Sequence, residues 1–215
     1  MAKRAFDIIV SSIFLLIFAP FFLIIAILIK KGSEGPVFYR GERVGRYGKM
    51  FRIFKFRTMV SNAEKLGGAS TSDNDPRITD VGKALRKCKI DEFPQFINVF
   101  LGQMSLVGPR PEVKKFVDIY TSQERAILSV RPGITDWASI WNSDEGAILA
   151  GAEDPDKAYM ELIRPEKIRL QLKYIENRSF LIDLKILFQT VTKLLKQGAE
   201  TTQAKRATSK TPSEV

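Results

Sequence analysis

Residues 8–29 read IIVSSIFLLIFAPFFLIIAILI, an uncharged run of 22 residues that is interrupted only by two serines and a proline. As an α-helix this run would be roughly 33 Å long, which is enough to cross the hydrocarbon core of a bilayer. It is longer than the apolar core of a signal peptide, and no small-residue cleavage site precedes the basic pair at 30–31. The sequence therefore predicts a membrane helix over residues 1–31.

The topology of this helix is left open by the residues around it. Basic pairs flank it at 3–4 and 30–31, so the charge bias that normally orients a spanning helix is weak. Pro20, after Ala19, removes a backbone hydrogen bond near the middle and favours a bend. A spanning helix and a re-entrant helix that bends at Ala19-Pro20 both fit. In the bent form, the hydroxyl of Ser11 or Ser12 could bond back to the chain.

Composition narrows the chemistry. The chain has 215 residues, typical of one domain, and a formal charge of +10 that favours polyanionic partners such as anionic lipid, nucleic acid or phosphorylated small molecules. It has no histidine, so acid–base or nucleophilic chemistry must use other groups. Its single cysteine, Cys88, excludes an internal disulfide and a Cys/His zinc site.

A basic segment follows the apolar run. Residues 30–57 carry nine Lys or Arg and two acids, and 37–39 and 51–56 are predicted to be short strands around a Gly-rich turn. In a strand, Lys55 and Arg57 would lie on one face. These charges could contact lipid headgroups or substrate phosphates. We favour lipid for 30–31 and substrate phosphate for Arg57.

Two adjacent carboxylates, Asp91 and Glu92, precede a predicted helix whose apolar residues recur at helical spacing from Phe93 to Leu101. Pro94 fits its first turn. The helix dipole there favours negative charge, so both carboxylates are expected to stay ionised. Asp91 could serve as a simple helix cap or as a reactive group.

Arg110 lies between two prolines, which hold its loop stiffly, and its planar guanidinium suits a phosphate. The alternative is a structural ion pair with Glu112.

Further along, residues 164–196 are predicted to be helical, either at the membrane interface or docked on the core. Residues 198–215 are predicted to be disordered. The predicted fold class is α+β, mainly helical with a small β-hairpin, a membrane helix and amphipathic interfacial helices.

Taken together, the motifs resemble those of the monotopic phosphoglycosyl transferases, also called bacterial sugar transferases, in their small single-domain form. The resemblance runs from about residue 3 to about residue 197. Its most specific parts are Lys55-Phe56-Arg57-Thr58-Met59, Asp75-Pro76-Arg77-Ile78-Thr79, Asp91-Glu92-Phe93-Pro94-Gln95-Phe96-Ile97-Asn98-Val99, Met104-Ser105-Leu106-Val107-Gly108-Pro109-Arg110-Pro111-Glu112 and Arg131-Pro132-Gly133-Ile134-Thr135.

This resemblance implies transfer of a sugar 1-phosphate from a UDP-sugar to a polyprenyl phosphate, expected to be undecaprenyl phosphate, with release of UMP. It implies that Asp91 is the nucleophile, that Glu92 assists it, and that Mg²⁺ is held at Asp91. It also implies a re-entrant helix on the bacterial inner membrane and a catalytic domain over 32–197 that faces the cytoplasm. Substrate phosphate would be bound by Arg110, Arg57, Lys55, Arg77 and Arg86, and the sugar or nucleotide would lie near Pro111, Gln95, Trp137 and Trp141.

The chain departs from the family pattern in two places. Ala19 stands where many members have Ser before the proline, and Asp136 to Asn142 with the segment 145–156 replaces a short Gly-containing stretch. The second region is expected to influence sugar selection. Two alternatives from other classes are a membrane-anchored nucleic-acid-binding protein and a non-catalytic scaffold. The resemblance favours the enzyme, with membrane lipids as partners and no nucleic acid.

Overall fold

The protein is described here as a computed structural model, which describes residues 2–66, 71–72, 74–142 and 145–208. Most of these residues are helical, and the strands are short. The helices are α1 Ala2–Gly32, α2 Ala63–Leu66, α3 Asp80–Lys87, α4 Gln95–Phe100, α5 Lys114–Val117, α6 Trp137–Trp141, α7 Glu145–Ile148, α8 Pro155–Ala158, α9 Arg164–Asn177 and α10 Phe180–Thr208. The strands are β1 Phe38–Tyr39, β2 Glu42–Val44, β3 Met50–Arg52, β4 Lys55–Phe56, β5 Ser105–Val107 and β6 Gly133–Thr135.

The strands form three separate pairs. The predicted strands at 37–39 and 51–56 pair through β1 and β4, which are antiparallel, and the predicted turn region between them contains a further strand, β2, that pairs with β3 with Val44 opposite Met50. β5 and β6 pair in parallel, with Ser105 opposite Gly133 and Val107 opposite Thr135. No sequence pattern predicted this third pair. Backbone hydrogen bonds of Gly108 and Pro109 hold the loop after β5 against β6.

The main core lies between the hairpin, β5 and the last two long helices. Its buried members come from distant parts of the sequence, so no single helix pair forms it. Ile186 of α10 and Tyr174 of α9 meet Leu106 and Val107 of β5 there. The fully or nearly buried residues of this cluster are Phe51, Ile53, Val99, Met104, Leu106, Val107, Tyr174 and Ile186.

Helix α1 is long and apolar enough to cross a membrane, and very little of its apolar window is buried. Both of its ends nevertheless contact the same folded body. Near the N-terminus, Phe6 packs edge-to-face on Phe180 at 5.4 Å between ring centroids. Near the C-terminus, Ile29 is buried against Phe56 and Leu85.

The serine hydroxyls of α1 do not support the proline as expected. Ser11 Oγ and Ser12 Oγ both donate to the carbonyl of Ile8, at 3.1 and 2.8 Å. Without an N–H, Pro20 leaves the carbonyl four residues earlier, that of Leu16, without its helical partner. The serines bond one turn upstream of themselves and therefore cannot satisfy that carbonyl.

Helix α10 confirms the core-docking alternative for one of its faces, and the membrane-interface alternative stays a prediction for the other. One face docks on the core: Ile186 is buried, and Thr190 Oγ1 lies 2.8 Å from Thr135 Oγ1. The other face leaves large apolar side chains exposed at helical spacing, including Leu181, Phe188 and Leu195. Where a disordered tail is predicted over 198–215, α10 continues to Thr208. Residues 209–215 lie outside the described residues.

Candidate active site

Asp91 and Glu92 lie in a single 3-10 turn, Ile90–Glu92, directly before α4. The chain enters this turn through Lys89, which adopts a left-handed conformation at φ 56° after α3 ends. Such a conformation costs a non-glycine residue about 1 kcal/mol, so surrounding contacts must hold it. The predicted position of the pair, just before a helix N-terminus, is confirmed.

Glu92 is held by two cations from separate parts of the chain. Lys55 Nζ donates to Glu92 Oε1 at 2.7 Å, and Arg110 Nη1 donates to Glu92 Oε2 at 2.9 Å. Arg110 Nη2 also donates to Oε1, so the arginine forms a bidentate fork on the carboxylate. The alternative pairing of Arg110 with Glu112 is not what the structure has. The Glu112 carboxylate pairs with Lys167 and accepts from the Tyr159 hydroxyl at 2.7 Å.

Asp91 is buried, with 8% of its surface exposed. Within the described ranges the charges of Lys55, Arg86 and Arg110 act on its carboxylate without a hydrogen bond or an ion pair to it, and neither the 3-10 turn nor α4 has a side-chain cap. The helix-cap alternative is therefore wrong for the structure described. A buried carboxylate without a fixed partner carries a desolvation cost, which is the usual condition of a group reserved for a ligand or a reaction.

The two carboxyl groups have opposite pKa shifts. Burial raises the pKa of Asp91, helped by the charge of Glu92, while Lys55, Arg86 and Arg110 oppose the rise. Burial also opposes ionisation of Glu92, but Arg110 and Lys55 outweigh it and hold the pKa of Glu92 well below its usual range. The helix dipole would favour ionisation of both groups alike. Their pKa values shift in opposite directions because only Glu92 has its cations in direct contact.

Arg86 reaches the site from the last turn of α3. Its Nε donates to Thr58 Oγ1 at 3.0 Å, and its charge favours ionisation of Asp91. Thr58 is a supporting residue that the sequence analysis did not single out, although it lies within the Lys55-to-Met59 motif. Lys55, Arg86 and Arg110 thus form a positive field around the Asp91–Glu92 turn.

The loop that carries Arg110 is held closely against the strand pair. Gly108 N donates to Thr135 O, and Gly133 N donates to Pro109 O, both at 3.0 Å. A Cβ on Gly133 would lie 2.1 Å from Gly108 N, so the two backbones approach too closely for any side chain there. The far side of the loop is fixed by Glu112, whose carbonyl accepts from Val44 N at 2.9 Å. Arg110 is therefore presented from a rigid support.

Arg57 and Arg77, both predicted to bind phosphate, have other partners in the structure. Arg57 is 5% exposed, and its Nη atoms donate to the carbonyls of Ser33 and Glu34 at the end of α1. Arg77 makes a bidentate pair with Asp75, 2.6 Å from Nη2 to Oδ2, and donates to Ala63 O. Both guanidinium groups are committed to holding backbone or a turn, and this geometry gives them structural roles.

The residues expected near the sugar or nucleotide do not share one environment. Gln95 is buried beside the Asp91–Glu92 turn, and its Nε2 has no hydrogen-bond partner within the described ranges. Pro111 flanks Arg110. Trp137 packs edge-to-face on Tyr174 as part of the core periphery, whereas Trp141 is 43% exposed. Trp137 therefore has a packing role in this structure.

Asp91 is the carboxylate in this site that could bind a magnesium ion. Among the described residues there is no cluster of three or more Asp, Glu, His or Cys side chains. Magnesium is commonly bound through one or two carboxylates together with substrate phosphates and water. The buried, unpartnered Asp91 carboxylate fits that arrangement, with the diphosphate of a substrate supplying the other oxygens.

Comparison with known proteins identifies the family to which this chain belongs. The family profile of the bacterial sugar transferases matches residues 1–197. The chain is 40% identical over 196 residues to a UDP-N-acetylgalactosamine-undecaprenyl-phosphate N-acetylgalactosaminephosphotransferase of Aeromonas hydrophila, covering 90% of this chain and 43% of that protein. It is 38% identical over 199 residues to the UDP-glucose:undecaprenyl-phosphate glucose-1-phosphate transferase of Escherichia coli (strain K12), covering 90% of this chain and 40% of that protein.

A third relative is closer in length. The exopolysaccharide production protein ExoY of Rhizobium meliloti (strain 1021) is 35% identical over 206 residues, which cover 89% of this chain and 84% of that protein. The chain thus spans about two fifths of the first two relatives and most of the third. The predicted family is confirmed: this chain belongs to the bacterial sugar transferases.

Proposed function

We propose that this protein transfers a sugar 1-phosphate from a UDP-sugar to a polyprenyl phosphate, through a covalent intermediate on Asp91. The observation that carries the proposal is the contrast within one turn: Asp91 is buried without a fixed partner, and Glu92 beside it holds Lys55 and Arg110. The named relatives act on UDP-sugars and undecaprenyl phosphate, which supports this choice of donor and acceptor.

In the first step, an Asp91 carboxylate oxygen attacks the phosphorus that bears the sugar. The new bond joins that oxygen to phosphorus, and the bond from phosphorus to the bridging oxygen of the diphosphate breaks. UMP leaves with the electron pair, and the sugar phosphate remains on Asp91 as an acyl phosphate. This divides one difficult displacement into two easier ones.

In the second step, an oxygen of the polyprenyl phosphate attacks the same phosphorus. The bond to Asp91 breaks, the carboxylate is regenerated, and the product is a polyprenyl-diphosphate sugar. A phosphate is already an anion near neutral pH, so this nucleophile needs no base. That agrees with a chain that has no histidine.

The cations around Asp91 have a direct use in both steps. Charge accumulates on the phosphoryl oxygens and on the leaving group, and preorganised guanidinium and ammonium groups stabilise it. Glu92 orients Lys55 and Arg110, so that their positive charges lie beside the place where the diphosphate would bind. Mg²⁺ held at Asp91 and the diphosphate would neutralise further charge.

For the membrane we propose a re-entrant α1 with the catalytic domain on the cytoplasmic side. Support comes from the contacts at both helix ends. Lys3 Nζ lies 2.6 Å from Asp183 Oδ2 of α10, and Ile29 is buried against Phe56. A spanning helix would place its two ends on opposite sides of a hydrocarbon core about 30 Å thick, whereas both ends of α1 contact one folded body.

Two experiments test these proposals. With a panel of UDP-sugars, Mg²⁺ and no acceptor, the detergent-solubilised protein should release UMP in an amount close to that of the enzyme. Continued turnover of many equivalents without acceptor would argue against a stable covalent intermediate.

For topology, a cysteine placed by Ala2→Cys and the exposed Cys88 should react with an impermeant reagent from the same side. Labelling from opposite sides would establish a spanning helix.

A further inference from the structure

The first two turns of α1 make polar contacts that neither membrane insertion nor the proposed chemistry requires. Asp7, 2% exposed, accepts from Ser105 Oγ at 2.9 Å and from Leu106 N at 3.1 Å. Lys3 Nζ donates to Val107 O at 2.9 Å. Every residue of β5 is therefore bonded to the start of the membrane helix.

A second set of contacts holds the Lys3 side chain in place. Lys3 pairs with Asp183, which is 4% exposed, and the Tyr174 hydroxyl donates to Asp183 Oδ1 at 2.7 Å. Burying carboxylates is costly unless their oxygens are bonded, so removing one partner leaves an unsatisfied buried group. The network is strong enough to fix the strand to which it is attached.

Strand β5 leads directly into the loop that carries Arg110. Val107 is the last strand residue, and Gly108 and Pro109 follow it in close backbone contact with β6. Proline restricts the dihedral freedom on both sides of the arginine. A shift of β5 would consequently be passed to Arg110 with little loss, because no flexible residue lies between them apart from the closely packed Gly108.

We infer that Asp7 and Lys3 are positioning residues for Arg110, so that the seating of the membrane helix sets the geometry of the phosphate-binding arginine. The inference rests on the proposed transferase function for its activity readout. It assigns a role in the reaction to residues at the helix start, where the sequence pattern suggests only membrane insertion. Loss of these contacts would leave a protein that still binds membrane but aligns its arginine poorly.

The activity test uses Asp7→Ala, with Ser12→Ala as the matched control on the same helix. Among the described residues the Ser12 hydroxyl bonds only to Ile8 of α1, so its loss should leave the rate unchanged. Asp7→Ala should lower kcat/KM for UMP release on the order of 100-fold, as expected for a misplacement of about 1 Å. Asp7→Asn should retain most of the rate, because the amide oxygen can accept from Leu106 N and the amide nitrogen can donate to the Ser105 hydroxyl.

A double-mutant cycle separates positioning from general destabilisation. In an Arg110→Lys background the fork on Glu92 is already lost, so adding Asp7→Ala should cost less than about threefold more. Equal losses in both backgrounds, or a wild-type rate for Asp7→Ala, would overturn the inference. If Asp7→Ala does not accumulate, Lys3→Met tests the same link at Val107, with an expected loss on the order of 10-fold.

A readout that needs no turnover distinguishes failure of this inference from failure of the proposed function. Hydrogen exchange at the Gly108 amide, which bonds to Thr135 O and does not touch Asp7, should be at least about tenfold faster in Asp7→Ala than in Ser12→Ala. Equal exchange would refute the positioning role even in an active enzyme. A wild-type protein that released no UMP would refute the proposed function while leaving this comparison decisive.

Discussion

The turn around Asp91 and the junction at the end of α1 each take one cation from the basic segment 30–57, yet they use it differently. At the turn, Lys55 and Arg110 contact a carboxylate and keep partial access to solvent, with side-chain exposures of 20% and 32%. At the junction, Arg57 is buried and donates to two backbone carbonyls. The partner of a cation, more than its presence in a motif, therefore separates the residues that we propose to bind substrate from those with a structural role.

The largest effect expected at the turn is that of Asp91→Asn. It removes the nucleophile, so UMP release should fall on the order of 10⁴-fold or more. The folded pKa of Asp91 is raised, so the ionised group destabilises the fold above that pKa. Asn removes this penalty, and the Tm at neutral pH should be equal to or higher than that of the wild type. A large drop in Tm would mean that the carboxylate is structural.

A matched pair of Arg→Lys changes tests the comparison directly. Arg110→Lys keeps a charge but loses the bidentate fork, and kcat/KM should fall on the order of 100-fold with little change in Tm. Arg77→Lys loses a fork on Asp75 instead, and its kcat/KM should stay within about threefold of wild type. Steady-state kinetics on both variants decide the point. Equal losses of activity in the two variants would mean that Arg77, like Arg110, contributes to phosphate binding.

At the junction, Arg57→Met should destabilise the protein without altering the chemistry. The carbonyls of Ser33 and Glu34 would lose charged donors, at a cost of about 2 kcal/mol. For a chain of this size that corresponds to a Tm lowered by roughly 4–8 °C. Thermal unfolding in detergent measures the shift, with Lys49→Met as an exposed basic control. Lost activity at an unchanged Tm would contradict the structural role.

The smallest expected effects are shifts in the pH dependence of the rate, and Lys55→Met and Glu92→Gln should shift it in opposite directions. The first step needs ionised Asp91, so its rate should fall as pH drops through a pKa above the ordinary value of about 4. Lys55→Met removes a cation that favours ionisation and should move this acid limb to higher pH. Glu92→Gln removes a like charge and should move it to lower pH. Shifts in the same direction would mean that another group controls the limb.

The sequence predicted well the parts of this site that depend on local pattern. Helical spacing from Phe93 to Leu101 placed Asp91 and Glu92 immediately before α4. The prediction for Arg57 failed for a local reason as well: side chains alternate only within a strand, and β4 ends at Phe56. Two residues of separation therefore did not keep Lys55 and Arg57 on one face.

Features that depend on tertiary contact were not accessible from the sequence. Strands of three residues, such as β5 and β6, are too short to show a period, and their parallel pairing depends on the close approach of Gly108 and Gly133. The polar start of α1 resembled an ordinary charged flank, because the partners of Lys3 and Asp7 lie about a hundred or more residues away. The opposite pKa directions of Asp91 and Glu92 depend on Lys55 and Arg110, which reach the turn from separate parts of the chain.

The most direct test of the account is a search for the covalent intermediate itself. The enzyme would be mixed with UDP-sugar and Mg²⁺ without acceptor, quenched, digested and examined by mass spectrometry. We expect the peptide containing Asp91 to gain the mass of one sugar phosphate and to lose it when polyprenyl phosphate is added. An unmodified Asp91 in an enzyme that forms product at its full rate would contradict the account.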